Sequence, residues 1–318
     1  MNGADLAGRY VFLASHAYSG STLLSFLLGA HPEIGTVSDV SGRRRRQMME
    51  TFECSCGRLM TVCPFWQQLM TALASSGLEF SLDDFELGFD HRHPRWLGNL
   101  RVRTMGGELP ERLRDAVFGV IPGERARMEE IGHRNAVFAR AVLEVTRSRI
   151  FVDASKERLR AQYLQRYVDP MLRVIHLIRD PRGVADSTRR RGKLTSFEQA
   201  GTRWARTNAA IHRSLSGLDA ARRLTVRYED LCGDPDSEMR RIFTFCGVDA
   251  DVNVTSHLDA EQHLLGNSMR LKGVGDIRHD ERWRTSLGDA DLRAVEASAG
   301  SWFTRLYRSG TTERQAAS

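Results

Sequence analysis

The stretch Tyr10-Val11-Phe12-Leu13-Ala14-Ser15-His16-Ala17-Tyr18-Ser19-Gly20-Ser21-Thr22-Leu23-Leu24 decides how this chain is read. The apolar run Tyr10 to Ala14 predicts a buried strand. A short polar turn follows it, and Leu23, Leu24, Leu27 and Leu28 then fall on one face of a helix. Such a turn brings unpaired backbone N–H groups and the positive end of a helix dipole to one point, where the hydroxyls of Ser19, Ser21 and Thr22 join them. That chemistry suits an anion, most naturally a phosphate, although the same pattern also serves as an ordinary capped helix start. The phosphate-loop pattern G-x-x-x-x-G-K-[ST] is not met, because Ser15 stands at its first Gly and Ser21 at its Lys. An ordinary nucleoside triphosphatase is therefore disfavoured.

Working outward, Gly35 to Val40 reads as a second short strand with Asp39 near its carboxyl end, the edge at which open α/β sheets bind ligands. Glu124 to Arg147 fits a long helix with a break at Gly132. Ile150-Phe151-Val152-Asp153 follows as a strand and delivers Lys156 to its carboxyl end. Arg173 to Ile178 is a further buried strand running into Arg179-Asp180-Pro181-Arg182-Gly183, where Asp180 suits the N-cap and Pro181 the first helical position. Arg179 is thus left on the turn with Ser187 two helical turns on, a pair able to grip one phosphate by a guanidinium fork and a hydroxyl. Lys193 ends the basic tip Arg189-Arg190-Arg191-Gly192-Lys193 and reads as merely exposed. Ser196-Phe197-Glu198-Gln199 resembles a capping box opening a helix with Trp204, Asn208, Ile211 and Leu215 along one side. Leu224 to Leu231 reads as a strand carrying Tyr228 at its end, followed by a helix after Pro235. Tyr228 suits either contact with a base or an ordinary core position. Gly266 to Asp276 is a glycine-bracketed basic loop holding Lys272, and the tail from Asp289 to Arg308 is helical. This alternation of strands and helices predicts an α/β, three-layer, P-loop-like parallel sheet flanked by helices.

The 318 residues, 41% apolar and 27% charged, read as one domain spanning 1–318. No run approaches a membrane span, and Met1-Asn2-Gly3-Ala4-Asp5 lacks a signal peptide's regions, so a cytoplasmic protein is expected. The net charge of +6 is compatible with nucleic acid, membrane surfaces or small anions. All but three of the 46 basic residues are arginine, as a GC-rich genome would produce, which singles out Lys156, Lys193 and Lys272. The run Arg43-Arg44-Arg45-Arg46 reads as a solvated loop ahead of an anionic-substrate patch. Residues 41–135 are weakly periodic and are expected to form a substrate-covering insertion. Within them, Cys54, Cys56 and Cys63 are read as a packed or redox-sensitive thiol cluster ahead of a metal site or disulfide. The spacing C-x-C is less typical of zinc than C-x-x-C, and no fourth ligand is adjacent. Cys232 and Cys246 read as core residues. No metal is assigned.

Four stretches occur in a specific order: Ser-x-x-Tyr-Ser-Gly-Ser-Thr-Leu-Leu from Ser15, Ile-Arg-Asp-Pro-Arg-Gly-Val-Ala-Asp-Ser from Ile178, Arg-Tyr-Glu-Asp-Leu from Arg227, and Arg-x-Lys-Gly from Arg270. Together, over residues 10 to 280, they resemble the sulfotransferases that use 3′-phosphoadenosine 5′-phosphosulfate (PAPS), in particular bacterial relatives of the tyrosylprotein and carbohydrate enzymes. Those relatives often carry a Cys-x-Cys-Gly…Cys-Pro-Phe-Trp segment like Cys54 to Trp66, which marks the cysteines as architecture rather than catalysis. The resemblance implies that Tyr18, Ser19, Gly20, Ser21, Thr22 and Leu23 hold the 5′-phosphosulfate. It also implies that Arg179 and Ser187, helped by Arg270, Lys272 and Gly273, hold the 3′-phosphate, and that Tyr228 approaches the adenine. It implies in-line sulfuryl transfer to a hydroxyl, less readily an amine, of a small-molecule, glycan or lipid acceptor. The product nucleotide would be 3′-phosphoadenosine 5′-phosphate (PAP), and no metal or nucleic-acid partner would be needed. Family members usually carry Lys or Arg where Tyr18 stands. Lys156 is the preferred substitute for that cation, with His16 as the other candidate. Asp39 occupies the position of the base carboxylate, and His16, His91, His93 and His133 are its alternatives. The rival readings are an atypical P-loop kinase and a non-catalytic anion-binding protein.

Overall fold

The computed structural model describes residues 6–40, 51–90, 97, 98, 100, 108–156, 159–255, 261–266, 268–273, 275 and 277–308. The Arg43 to Arg46 run and the histidines at 91 and 93 lie outside them. Five strands, β1 (Tyr10–Ser15), β2 (Ile34–Ser38), β3 (Ile150–Asp153), β4 (Arg173–Ile178) and β5 (Arg223–Arg227), form one sheet in the order β2-β3-β1-β4-β5 with every pairing parallel. All six residues of β1 are buried, as a central strand covered on both faces must be.

The alternation of β1 assigns the two faces. Val11 and Leu13 pack with Leu23, Leu24, Leu27 and Leu28 of α1 (Ser21–Gly29), and with Met239, Ile242 and Phe243 of a helix at Pro235–Cys246. Tyr10, Phe12 and Ala14 face the other layer, where Trp66, Leu69 and Leu73 of α2 (Pro64–Ala74) meet Met128, Phe138 and Val142 of a long helix at Glu124–Thr146. Helices on both faces of a parallel sheet give the three layers expected. Numbered in chain order, the helices after α2 are α3 (Glu108–Gly119), α4 (Glu124–Thr146), α5 (Arg160–Tyr167), α6 (Pro181–Arg190), α7 (Phe197–Leu215), α8 (Tyr228–Gly233), α9 (Pro235–Cys246), α10 (Trp283–Ser286) and α11 (Asp289–Phe303). Among the described residues no helix is long and apolar enough to cross a membrane.

Two readings of the sequence change. Gly132 does not interrupt α4. Its missing side chain makes room for the neighbouring chain, since a Cβ there would stand 2.6 Å from the Tyr167 carbonyl oxygen. The chain turns helical at Tyr228 directly after β5 rather than past Pro235, so Tyr228 opens α8. Within the stretch 41–135, Phe85, Leu87 and Phe89 pack in the same core as Phe12 and Phe151.

A buried polar network ties these pieces together. Arg160, wholly buried, donates from Nε to Asp153 Oδ2 at 2.7 Å, from one terminal nitrogen to the Leu87 carbonyl at 2.9 Å, and from the other to Asn135 Oδ1 at 2.5 Å. Tyr10 Oη donates to the same Asp153 oxygen at 2.9 Å. Burial, with the Asp153 charge next in weight, pushes the Tyr10 hydroxyl well above its ordinary range, so it remains a donor. Truncating one member of such a set strands a buried charge. Arg160→Ala is expected to lower stability by about 3–5 kcal/mol in urea unfolding, and a loss below about 1 kcal/mol would mean that Asp153 is not held as a buried ion.

Candidate active site

The turn between β1 and α1 is built to leave donors open. Tyr18 and Gly20 both have left-handed backbone, at φ 67° and 92°, and Gly20 is the N-cap of α1 with no side-chain cap. The first turn of α1 carries no acidic residue, so its leading N–H groups point out of the helix without an intrahelical partner. Only glycine fits at position 20 for a second reason: a Cβ there would lie 2.4 Å from the Tyr228 ring. Ser15 and Ser19 are buried, yet neither Oγ has a hydrogen-bond partner among the described residues. Backbone amides and a helix dipole meet at this turn, where Ser21 and Thr22 line a cavity, an arrangement that fits a phosphate or sulfate.

Arg179 reaches the other side of the turn from the end of β4. Asp180 caps α6 by accepting from the Arg182 N–H at 2.8 Å, and Trp204 of α7 donates its indole N–H to the Arg179 carbonyl at 2.9 Å. These contacts fix the backbone that presents the guanidinium. One terminal nitrogen of Arg179 donates to the Tyr18 carbonyl at 3.1 Å and to Ser187 Oγ at 3.3 Å, and its Cζ lies 4.4 Å from the Tyr228 ring centroid. Arg190 donates to Ser187 Oγ at 3.1 Å. Tyr18, Gly20, Ser21, Thr22, Leu23, Arg179, Ser187, Tyr228 and Lys272 line a single cavity of about 370 Å³. Arg190, Arg191, Arg278 and Arg282 also line it, so among the described residues six cations face the carboxylate of Asp280.

Asp280 sits among the guanidiniums. Its Oδ2 is 2.8 Å from Arg190 and 3.3 Å from Arg179, and Arg282 donates to it at 2.7 and 3.0 Å. Burial alone would raise its pKa, but the Arg282 hydrogen bonds and the charges of Arg179 and Arg190 outweigh this and hold the carboxyl far below its ordinary range. The cluster that collects a carboxylate here has the donor geometry to collect a phosphate.

Asp39 and Lys156 meet at the carboxyl ends of β2 and β3, with Lys156 Nζ 3.8 Å from Asp39 Oδ2 and both side chains partly exposed. Ser38, immediately before Asp39, has φ 66° at a register shift in the β2–β3 pairing. Its Oγ donates to Ser25 in α1 at 3.1 Å, and the Ser155 hydroxyl accepts from the Val40 N–H. The carboxylate is thus fixed from both neighbours, on a backbone that costs strain to hold.

Several expected residues lie elsewhere. Arg270 is buried and donates twice to the Glu53 carbonyl, at 2.8 and 3.2 Å, with its guanidinium 4.1 Å from the Phe52 ring, so it anchors the loop instead of lining the cavity. Gly273, at φ 66°, shapes the end of that loop without lining the cavity. His16 bonds the Ala17 carbonyl at 2.7 Å, and His133 is exposed on α4 beside other surface cavities. Lys156, preferred as the cation replacing one at Tyr18, is paired with Asp39. Arg191 is the cation that faces Tyr18, with Cζ 5.8 Å from its ring centroid. Arg190 and Arg191 were readable in principle, because Arg190 lies three residues beyond Ser187 on the same helical face. Asp280 and Arg282 carried no such signal.

Asp280 yields a pH prediction. Its folded pKa lies below the unfolded value of about 3.9, so its stabilisation is complete above that value and is lost as pH falls through the carboxylate range. Asp280→Asn should flatten the loss of urea stability between about pH 5 and pH 2. An acid limb identical to that of the parent would show that Asp280 is not ion-paired in solution.

With this geometry in place, the likeness to known proteins can be read. A family model described as the sulfotransferase family matches residues 90–252, just over half of the chain. Mouse carbohydrate sulfotransferase 5 is 28% identical over 171 residues, covering 45% of this chain and 43% of that protein, so the match spans less than half of the curated relative. Among solved structures, the sulfotransferase domain of the Synechococcus PCC 7002 olefin synthase covers 91% of this chain and 94% of its own at 20% identity and TM-score 0.47. Mouse sulfotransferase SULT7A1 complexed with PAP covers 98% and 88% at 12% identity and TM-score 0.44. The match of the family model over residues 90–252, which contain the Arg179 and Ser187 clamp, carries the assignment: the chain belongs to the sulfotransferase family.

Proposed function

We propose that this protein transfers a sulfuryl group from PAPS to an acceptor hydroxyl. The observation that carries the reading is the pairing of two anion-holding ends in one cavity: the open first turn of α1 on one side, and Arg179, Ser187 and Arg190 on the other, with Tyr228 between them. A nucleotide with phosphate groups at both its 3′ and 5′ positions needs such a divided site, and an ordinary nucleoside triphosphate does not. The donor, once bound, supplies an activated sulfuryl group on a good leaving phosphate.

The chain's own residues supply positioning and charge. The N–H groups of Ser21, Thr22 and Leu23, with the hydroxyls of Ser19 and Ser21, hold the 5′ end and take up charge developing on the leaving phosphate. Arg191, above Tyr18, adds a cation at that end. Arg179, Ser187 and Lys272 fix the 3′-phosphate, which must displace Asp280 from Arg179 and Arg190. Tyr228, stacked under Arg179 and against Gly20, offers its ring to the base. Asp39 accepts the acceptor's proton, and Lys156 beside it helps to orient that carboxylate.

Residues 41–135 follow Asp39 in the chain, and covering the acceptor is the role assigned to them in this reading. A carbohydrate hydroxyl is the first acceptor class to try, because the mouse relative is a carbohydrate sulfotransferase.

Two variants separate binding from chemistry. Arg179→Ala should weaken PAP binding by about ten- to a hundredfold in calorimetry, the worth of charge-assisted bonds to phosphate. Asp39→Asn should bind PAP normally yet lose turnover by about a hundredfold or more. Unchanged PAP affinity in the first variant, or tighter binding of ATP with Mg²⁺ than of PAP, would overturn the nucleotide assignment. Unaltered turnover in the second would remove Asp39 as the base.

A further inference from the structure

We propose that Cys54, Cys56, Cys63 and His263 form a closed tetrahedral zinc site that ties the turn preceding α2 to the segment entering the Lys272 loop. The sequence suggested a thiol cluster lacking a fourth ligand; the structure supplies one from 200 residues downstream. His263 Nδ1 lies 3.5 Å from Cys54 Sγ and 3.4 Å from Cys63 Sγ, and the sulfurs of Cys56 and Cys63 are 3.7 Å apart. All four ligand atoms lie within 4.8 Å of one another. Zinc–sulfur and zinc–nitrogen bonds of ordinary length give a tetrahedron with edges of about 3.8 Å between sulfurs and about 3.6 Å from sulfur to nitrogen. The three separations of 3.4, 3.5 and 3.7 Å lie close to those edges, whereas a disulfide requires about 2.0 Å.

Local backbone geometry presents the ligands. A tight turn carries the first two cysteines, with the Cys54 N–H bonded to the Arg58 carbonyl at 2.8 Å and the Gly57 N–H to the Cys54 carbonyl at 2.9 Å. Cys63 is the N-cap of α2, and both it and Cys54 are wholly buried.

His263 has the orientation of a ligand. Its Nε2, the nitrogen facing away from the sulfurs, is 3.8 Å from a Glu261 carboxylate oxygen that Arg58 holds at 3.0 Å, and its ring stacks on Phe65 at 4.5 Å between centroids. The nitrogen that faces the sulfurs is therefore Nδ1, with a carboxylate on the far side of the ring. The Ser55 hydroxyl holds the backbone on either side of His263, donating to the Gln262 carbonyl and accepting from the Leu264 N–H at 2.6 Å. Binding one Zn²⁺ releases three thiol protons and involves no electron transfer. Four protein ligands leave no open position, so the ion braces structure and takes no part in transfer. What it braces is local: the Glu53 carbonyl, one residue before Cys54, is the acceptor for buried Arg270, two residues before Lys272.

The test uses the full chain, purified without metal resin or chelator. About one zinc per chain is expected by mass spectrometry, and replacement by Co²⁺ should give the sulfur-to-cobalt charge-transfer band and intense visible bands of a tetrahedral thiolate site. His263→Ala should lower zinc affinity at least about tenfold, while Cys232→Ser, outside the cluster, should leave it unchanged. The cobalt spectrum of the parent decides the matter even where a ligand variant fails to fold. Reduced protein that takes up neither Zn²⁺ nor Co²⁺, or metal-free protein isolated with a Cys56–Cys63 disulfide, would overturn the proposal. Neither result would bear on PAP affinity.

Discussion

The structure depends on how a fully buried central strand passes its chain into a helix. β1 has neighbours on both edges and helices on both faces, so the chain can leave only at its carboxyl end. It does so through two left-handed residues, Tyr18 and Gly20, that start α1 without a cap. The free energy of those open N–H groups is low only when an anion or water meets them. Everything else in the cavity is arranged around that requirement. β4 lies beside β1 and places Arg179 against the Tyr18 carbonyl, and β5 lies beside β4 and places Tyr228 under Arg179 and over Gly20.

The cavity's charge balance follows from the same layout. Six cations line it, and such a concentration would repel itself without counter-charge. Asp280 supplies part of it, drawn from a stretch distant in sequence, and Asp186, buried beneath, pairs with Arg189 and Arg190. A dianionic phosphate offers the same guanidiniums more charge than one carboxylate, so in the proposed reading it would displace Asp280.

Local signals made most of the fold legible in the sequence. The runs at Tyr10, Ile150 and Arg173 gave strands within a residue of those observed, and Asp180-Pro181 and Ser196 gave true helix starts. Gly132 misled because a glycine chosen for close packing looks like one chosen to break a helix. At the site, Arg179, Ser187, Tyr228 and Lys272 were readable from the motifs and do share one cavity. Arg270 shows the limit of that approach: its place in the motif is right, but its guanidinium is committed to the Glu53 carbonyl. Asp280 and His263 were invisible for a common reason. Each acts through contacts with residues far away in the chain, which spacing does not encode.

The central claim is that the open turn of α1 and the Arg179–Ser187 clamp serve the two ends of one nucleotide. A crystal structure of the full chain with PAP tests it most directly. The account predicts the 5′-phosphate on the amides of Ser21 to Leu23, the 3′-phosphate within hydrogen-bond distance of Arg179 and Ser187, and the Asp280 carboxylate turned away from Arg179. A nucleotide bound outside this cavity, or one whose 3′-phosphate faces solvent while Asp280 stays on Arg179, would contradict it.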